Sequence, residues 1–495
     1  MNPEKPKING ITEFRSFLIG LVGHVDSGKT AIAKQLTQIV STSGLDAHPQ
    51  SKERGITIDL GFTSFIEDDL LITLVDAPGH ADLIRSVVAS ARIIDGAIVV
   101  IDGKEGIQVQ TAEHMVILEL LGISNVIFVI NKIDAVSAEK ILQIKLQLNN
   151  LLVNTIFAGN KKILEVSAKN GTGISDLRKD ITNWVTNFPK TPFNSNLSAF
   201  PIDHHFPKKG IGAIVTGTTQ GSFSVGDRLT VIPHLSEVKV KNAQIYHQNV
   251  EKVPHGFRAG LVISGIEIDQ LQRGDILTRT PKQYQKAELL EVEINFSRHF
   301  QKSIRFGSQI DVTNGMVTTS ARVFPFYYGD QEIRMKVDEI NYQQIKAWKK
   351  ENLNYGAFLW FQHLQLLLPE EKLVLSKLDL SPSTLRFFGT AQIKQILPSK
   401  PNPEVHYIKT KRGKIKNPQY SDTTILVEGL AQSKEGAKTL IQSKLEPPFG
   451  IITNIFGGKG VVVAEKPKNH ACAIGDIVSL RLQRSIKISK NKSYN

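Results

Sequence analysis

The 495 residues predict a multidomain chain: an α/β domain on a doubly wound, mostly parallel sheet, followed by three β-barrel-type domains. Three observations predict it. Residues 16–190 alternate short apolar runs with longer amphipathic segments, the pattern of strands joined by helices. Beyond the Pro/Asn/Ser-rich stretch Pro189–Asn196 the runs shorten, alternate in polarity and are punctuated by glycine, as strands of sandwiches and barrels are. The length also suits about three or four domains rather than one.

Taken in order, the apolar runs Phe17–Val22, Leu70–Val75, Ala97–Ile101, Val126–Ile130 and Ile163–Val166 predict strands. Between and after them, Lys29–Val40, His80–Ile93, Val109–Leu121, Ser137–Phe157 and Ile174–Phe188 carry helical patterns. Gly210–Gly217 and Gly226–Ile232 are typical of the short strands beyond the linker. Further boundaries fall near Pro281 and in Leu397–Pro403. The expected domains are therefore 12–190, 196–284, 285–398 and 399–495, with a frayed end from Lys490 to Asn495.

Composition narrows the class. With 41% hydrophobic and 22% charged residues the chain reads as globular. No apolar stretch reaches the ~18 residues of a membrane helix, and Met1–Gly10 is polar with no signal core after it. A cytoplasmic location away from membranes is expected. Cys472 is the single cysteine, which excludes a disulfide framework and a thiolate metal cluster. The net charge of +13 is concentrated: residues 399–495 hold 17 Lys and Arg against 7 Asp and Glu. That asymmetry fits a polyanionic partner, or a solvated basic face.

The most specific motif is Gly23-His24-Val25-Asp26-Ser27-Gly28-Lys29-Thr30, which fits G-x-x-x-x-G-K-[ST] between a predicted strand and a predicted helix. Its glycines let backbone N–H groups wrap phosphates, Lys29 reaches the β/γ-phosphates, and the Thr30 hydroxyl ligates Mg²⁺. The helix end adds positive potential. Asp26, Ser27, Gly28, Lys29, Thr30 and Ala31 are the phosphate-binding candidates. Asp76-Ala77-Pro78-Gly79-His80 follows the next strand; Asp76 can hold Mg²⁺ through water and the Gly79 amide can meet the γ-phosphate. Read alone, Pro-Gly is a turn. Asn131-Lys132-Ile133-Asp134 follows a third strand, and the Asp134 carboxylate can accept from guanine N1–H and N2–H₂, a donor pair adenine lacks. Ser167-Ala168-Lys169 would close the base pocket. Strand ends are where open α/β sheets bind ligands. The ordered set resembles the GTPase superfamily, which implies a P-loop GTPase domain using GTP/GDP and Mg²⁺.

Gln50–Asp59 (QSKERGITID) resembles the first switch of translational GTPases, and Thr57 matches their second Mg²⁺-ligating threonine. An ordinary charged loop leading into a strand is the alternative. His80 stands where these GTPases carry the histidine that orients the attacking water once the ribosome places it. Val25 and Ile56 match the hydrophobic gate around that histidine. A nucleotide domain followed by two β-rich domains resembles elongation factor Tu and its relatives, which grip the tRNA acceptor arm.

The chain further resembles the archaeal–eukaryotic type of selenocysteine-specific elongation factor (SelB-like), over nearly its whole length. The resemblance rests on Ser27 in the phosphate loop, on Asp46–Phe62, on Leu83-Ile84-Arg85-Ser86, and on Ile202-Asp203-His204-His205-Phe206 with Arg258 in Gly256–Gly260. It rests also on Phe449–Gly460, similar to that group's extra C-terminal barrel. It implies delivery of selenocysteinyl-tRNA to the ribosome at recoded UGA codons, with Asp203, His204 and Arg258 around the selenocysteinyl group. A selenolate is anionic at neutral pH where serine is not, and losing a charge-assisted partner in a desolvated site costs roughly 2–5 kcal/mol. A structural ion pair between Asp203 and Arg258 is the competing reading. Lys409, Lys411, Arg412, Lys414 and Lys416 are assigned to RNA backbone contact, with a solvated hairpin tip as the alternative. A monomer is expected, reading the mRNA selenocysteine-insertion element directly or through another protein. The other reading of the whole chain is a different tRNA-delivering GTPase, such as an initiation factor two gamma-like protein.

Overall fold

In the computed structural model, described for residues 10–40, 61–76, 94–159, 162–187, 198–208, 212–381, 383–398, 400–467, 471–492 and 494, the first apolar runs form one twisted sheet. Its strands are β1 (Arg15–Val22), β2 (Ile39–Val40), β3 (Gly61–Glu67), β4 (Leu70–Asp76), β5 (Gly96–Asp102), β6 (Val126–Asn131) and β7 (Lys162–Glu165), in the order β2-β3-β4-β1-β5-β6-β7. All pairings from β4 to β7 are parallel; β2 and β3 add an antiparallel edge. Strands buried on both faces read as continuous apolar runs, and β4 and β5 are buried throughout. The helices α1 (Lys29–Leu36), α2 (Val109–Leu121), α3 (Ala138–Leu152) and α4 (Ile174–Thr186) flank the sheet. Ser137 caps α3, its hydroxyl accepting from the Lys140 amide at 3.4 Å.

Two helices end before their expected bounds: the one predicted over Ser137–Phe157 stops at Leu152, where Val153 leaves the helical conformation. The helix predicted over Lys29–Val40 stops at Leu36. Thr37 turns extended, its hydroxyl bonding back to the Ala33 carbonyl at 2.5 Å and lying 2.7 Å from Thr63 Oγ1. Ile39 and Val40 then pair with Ser64 and Thr63. A run of β-branched residues beside an open sheet edge takes the strand. The predicted helix His80–Ile93 lies outside the described residues.

The second domain is a closed barrel. It comprises β8 (Phe200–Lys208), β9 (Gly212–Thr218), β10 (Phe223–Ser224), β11 (Arg228–Ile232), β12 (Ser236–Ile245), β13 (Gln248–Asn249), β14 (Lys252–Val253), β15 (Arg258–Ser264) and β16 (Ile276–Thr278). The order β11-β16-β8-β9-β15-β12-β13 closes through β11–β12. A short turn at Pro281–Gln283 leads into a second barrel of β17 (Gln285–Phe296), β18 (Ile304–Arg305), β19 (Gln309–Asn314) and β20 (Val317–Tyr328), joined after an excursion by β23 (Tyr355–Leu367), β24 (Lys372–Ser376) and β25 (Phe387–Leu397). The excursion holds β21 (Arg334–Lys336), β22 (Glu339–Ile340) and α5 (Tyr342–Lys350). The path β19-β24-β25-β17-β23-β20 closes through β19–β20.

Two compact units result. The first comprises Met1–Val323, Glu339–Glu351 and Gly356–Ser399; the second comprises Phe324–Asp338, Asn352–Tyr355 and Lys400–Asn495. The second unit adds β26 (Glu404–Asn417), β27 (Thr424–Glu428), α6 (Lys434–Lys438), β28 (Ile452–Phe456), β29 (Val461–Glu465) and β30 (Ile477–Lys487), around a core that includes Ile415, Val427, Leu440, Val462 and Leu480. Among the described residues no helix is long and apolar enough to cross a membrane.

Candidate functional site

Four strand ends meet at one edge of the α/β sheet. After β1, the loop Gly23–Gly28 turns into α1 through left-handed backbone at Asp26 (φ 58°) and Gly28 (φ 92°). A Cβ at Gly28 would stand 2.1 Å from Asn131 Nδ2, so only glycine lets the loop lie against the third strand end. Lys29 is buried and folds over the loop, donating to the Gly23 and His24 carbonyls at 3.1 and 2.8 Å. Burial lowers its ammonium pKa to about 8, with Asp76 and Asp26 pulling the other way. At neutral pH the loop therefore encloses a cation, the charge a polyphosphate needs.

The base-side residues gather at the ends of β6 and β7. Asn131 acts as a strut: its Nδ2 donates to the Ser27 carbonyl at 2.9 Å and its Oδ1 accepts from the Ala168 amide at 3.0 Å. Asp134 is exposed and accepts from Ser167 Oγ at 2.5 Å; that bond holds its carboxyl below the usual range, so it stands ready as an anionic acceptor. Lys132 leaves β6 in left-handed backbone and reaches Asp102 at 2.6 Å, while Lys169 is exposed. Asp102 is a site residue the motif reading missed; its place opposite Asn131 at the end of a strand is the signal that finds it. Gln35, whose amide donates to the Ala168 carbonyl at 3.0 Å, and His114, an acceptor for the Gly23 amide at 2.9 Å, carry no motif signal at all.

The Mg²⁺ candidates are compatible with the ion. Thr30 Oγ1 donates to Asp76 Oδ2 at 2.6 Å, which brings a hydroxyl and a fully buried carboxylate together at the start of α1 and the end of β4. Hard oxygen donors of this kind suit Mg²⁺. Ala31 is exposed on the first turn of α1, and Val25 is half-buried, its amide donating to Gln110 Oε1 at 3.4 Å. Ile56, Thr57, Gly79 and His80 lie outside the described residues.

The second cluster sits at the first barrel's edge. Arg258 forks onto Asp203: Nη1 meets Oδ2 and Nη2 donates to Oδ1 at 3.0 Å. Thr216 Oγ1 donates to the same Oδ1 at 2.6 Å, and His204 Nδ1 lies 2.9 Å from it. Asp203 and Arg258 are buried, and the Arg258 guanidinium lies 3.3 Å from the centre of the Phe62 ring of β3. The ion pair weighed as the alternative reading is thus present. His204 is the half-buried member, stacked 6.2 Å from the exposed Phe206 ring. Beside them the Tyr246 hydroxyl bonds Ser64 and, at 2.8 Å, Thr73, tying barrel to sheet.

The basic run of the second unit lies along β26. Strand alternation splits it, with Lys409 and Lys411 on one face and Arg412, Lys414 and Lys416 on the other. Lys416 is 3.5 Å from Glu428.

Comparison with known proteins bears on these sites. Residues 15–187 match the elongation factor Tu GTP binding domain family. The chain is 38% identical over 461 residues to a selenocysteine-specific elongation factor of Methanocaldococcus jannaschii, covering 92% of this chain and 95% of that one. A selenocysteine-specific elongation factor of Mus musculus is 35% identical over 338 residues, 62% of this chain and 56% of the relative. In structure the chain resembles translation elongation factor SelB of Methanococcus maripaludis in complex with the GTP analogue GppNHp (TM-score 0.78, 33% identity, covering 95% of this chain and 99% of that one).

Proposed function

The chain belongs to the selenocysteine-specific elongation factor family, and on that premise we propose how its residues bind GTP, hydrolyse it and carry tRNA to the ribosome. The nucleotide assignment is supported above all by one observation, the convergence of Lys29, Thr30, Asp76, Asn131, Asp134 and Ser167 at one sheet edge. The loop amides from Asp26 to Ala31 and the buried Lys29 cation take the phosphates. Asp134, with Ser167 bonded to it, takes the guanine N1–H and N2–H₂ edge; Asn131, Lys132, Ala168 and Lys169 frame the base.

Hydrolysis is attack of a water oxygen on the γ-phosphorus. The bond to the β–γ bridging oxygen breaks, its electron pair leaves on GDP, and phosphate is released. His80 is assigned to orient that water, Gly79 to contact the γ-phosphate, and Val25 and Ile56 to keep the histidine away until the ribosome places it. Thr30, Thr57 and Asp76 would hold Mg²⁺, which when bound neutralises charge on the β- and γ-oxygens.

Selenocysteine selectivity is assigned to Asp203, His204 and Arg258. Arg258 is already balanced by Asp203, so a selenolate approaches from the side of His204, with the guanidinium behind it. An anion gains there and a serine hydroxyl gains less. The exposed basic face of β26 is assigned to RNA phosphates, with the mRNA insertion element read directly or through another protein. The protein is proposed to work as a cytoplasmic monomer.

A panel of charged tRNAs, bound with GTP and with GDP, tests the reading. Selenocysteinyl-tRNA should bind in preference to seryl-tRNA and initiator methionyl-tRNA, and ribosomes should stimulate GTP turnover in the wild type but not in His80→Ala. Equal affinity for initiator methionyl-tRNA would remove the selenocysteine assignment; undiminished turnover would remove His80.

A further inference from the structure

The phosphate loop is anchored from outside by one helix. The Gly23 N–H, first amide after β1, donates to Nδ1 of His114 on α2 at 2.9 Å. Since the backbone is the donor, Nδ1 carries no hydrogen. The ring is neutral, with its hydrogen on Nε2, which is buried without a partner among the described residues. Burial, with Lys29, His24 and Arg386 acting in the same direction, lowers the imidazole pKa to about 3, so the acceptor form persists at neutral pH. The carbonyl of the same residue, in the next peptide, accepts from Lys29 Nζ at 3.1 Å. His114 therefore fixes the peptide that enters Gly23, and the phosphate-loop lysine bonds the peptide that leaves it.

Glu113 precedes His114 and points about 100° away around the helix. Its carboxylate faces the third domain, where Oε1 accepts from Arg386 Nε and from the Arg386 amide at 3.0 Å each, and Oε2 accepts from Nη2 at 2.8 Å. Both side chains are nearly inaccessible to water. The pair cannot slide, because a bidentate guanidinium–carboxylate contact fixes distance and angle together. Around it Met115, Val116 and Leu118 of α2 share one core with Val374 and Phe387 of the third domain.

We propose that His114 is a positioning residue for the nucleotide, and that Arg386 acts through Glu113 and α2 to set it, so the third domain and the phosphate loop share one coupling free energy. This rests on the reading of residues 23–30 as the phosphate loop. Linkage makes the coupling reciprocal: a seated third domain slows nucleotide release, and bound nucleotide strengthens the seating.

The test is release of a fluorescent GDP from the full chain. His114→Leu, similar in bulk but without an acceptor, should release it roughly tenfold faster, as expected for one lost hydrogen bond in a buried site. His114→Asn, with an amide oxygen where Nδ1 stood, should stay within about threefold of wild type. Glu113→Gln should speed release too, and adding it to His114→Leu should bring no further gain, the mark of one shared route. Wild-type release from His114→Leu, or His114→Asn releasing as fast as His114→Leu, overturns the positioning role. Additive effects in the double variant overturn the link to the third domain. Failure of the wild type to bind the probe would instead count against the phosphate-loop reading.

Discussion

Asp203 would titrate upward if burial alone acted on it. The Arg258 guanidinium and the His204 hydrogen bond outweigh burial and hold its carboxyl below the ordinary carboxylate range. A depressed carboxylate contributes stability above its unfolded pKa and loses it as pH falls through the folded value. Asp203→Asn should therefore be less stable than wild type at pH 7, by about 3–5 kcal/mol, since Arg258 is left as an uncompensated buried charge. The gap should narrow as pH drops below about 4, where the wild type begins to lose the same contribution. Denaturant melts from pH 7 to pH 3 check this; a constant gap would mean that charge is not its source. Residues such as Lys29, Thr30, Asp76 and Asp134 were legible because each sits in a short local motif at a strand end. The state of Arg258 was not, because sequence could not choose between a ligand pocket and a salt bridge for an arginine and an aspartate 55 residues apart. Nothing local to Phe62 marks its place under the guanidinium, which arises only where β3 packs against the barrel.

Periodicity revealed the type of most elements and failed where two periods compete. Val109–Leu121 is a helix with the expected bounds, since its burial is nearly all-round and its ends are clear. The α1 pattern overran by four residues because Thr37, Ile39 and Val40 suit a strand once a sheet edge is available, and an edge is a tertiary fact. In β26 the linear view misled differently. Lys409 to Lys416 read as one cluster, but a strand deals its residues to two faces. Lys411 shares its face with Lys409 and Arg484; burial first, then these two charges, lowers its ammonium pKa. Arg412 and Lys414 lie on the exposed face, paired across the ladder with Ser479 and Ile477. If that face meets RNA phosphates, Arg412→Ala with Lys414→Ala should weaken tRNA binding and reduce its salt slope by about two. Lys409→Ala with Lys411→Ala should change the slope less. A slope unchanged in both would leave β26 as a solvated basic strand. Binding titrations across a salt series read the difference.

At the scale of the whole molecule the chain order and the packing order part company. The change of pattern at Leu397–Pro403 suggests that the C-terminal part could be removed cleanly. Yet Phe324–Asp338 and Asn352–Tyr355 belong to the second compact unit, with Lys400–Asn495. Within that unit Phe324 is fully buried against the Tyr494 ring at 5.4 Å, and Met335 of β21 pairs with His406 of β26. No cut at a single peptide bond separates the units without leaving part of one attached to the other. A chain ended before Lys400 keeps Phe324 and the unpaired edge of β21 while losing what covers them. Exposed aromatic surface beside an open strand edge invites association. Such a truncation should therefore bind an apolar-surface dye more strongly than the full chain and aggregate on mild heating. Its nucleotide release should stay near wild type, because Arg386, Glu113 and His114 all remain within the first unit. Light scattering, dye fluorescence and GDP release on the one truncated protein separate the two effects. A monomeric, dye-silent truncation would show that residues 324–338 do not depend on the C-terminal strands.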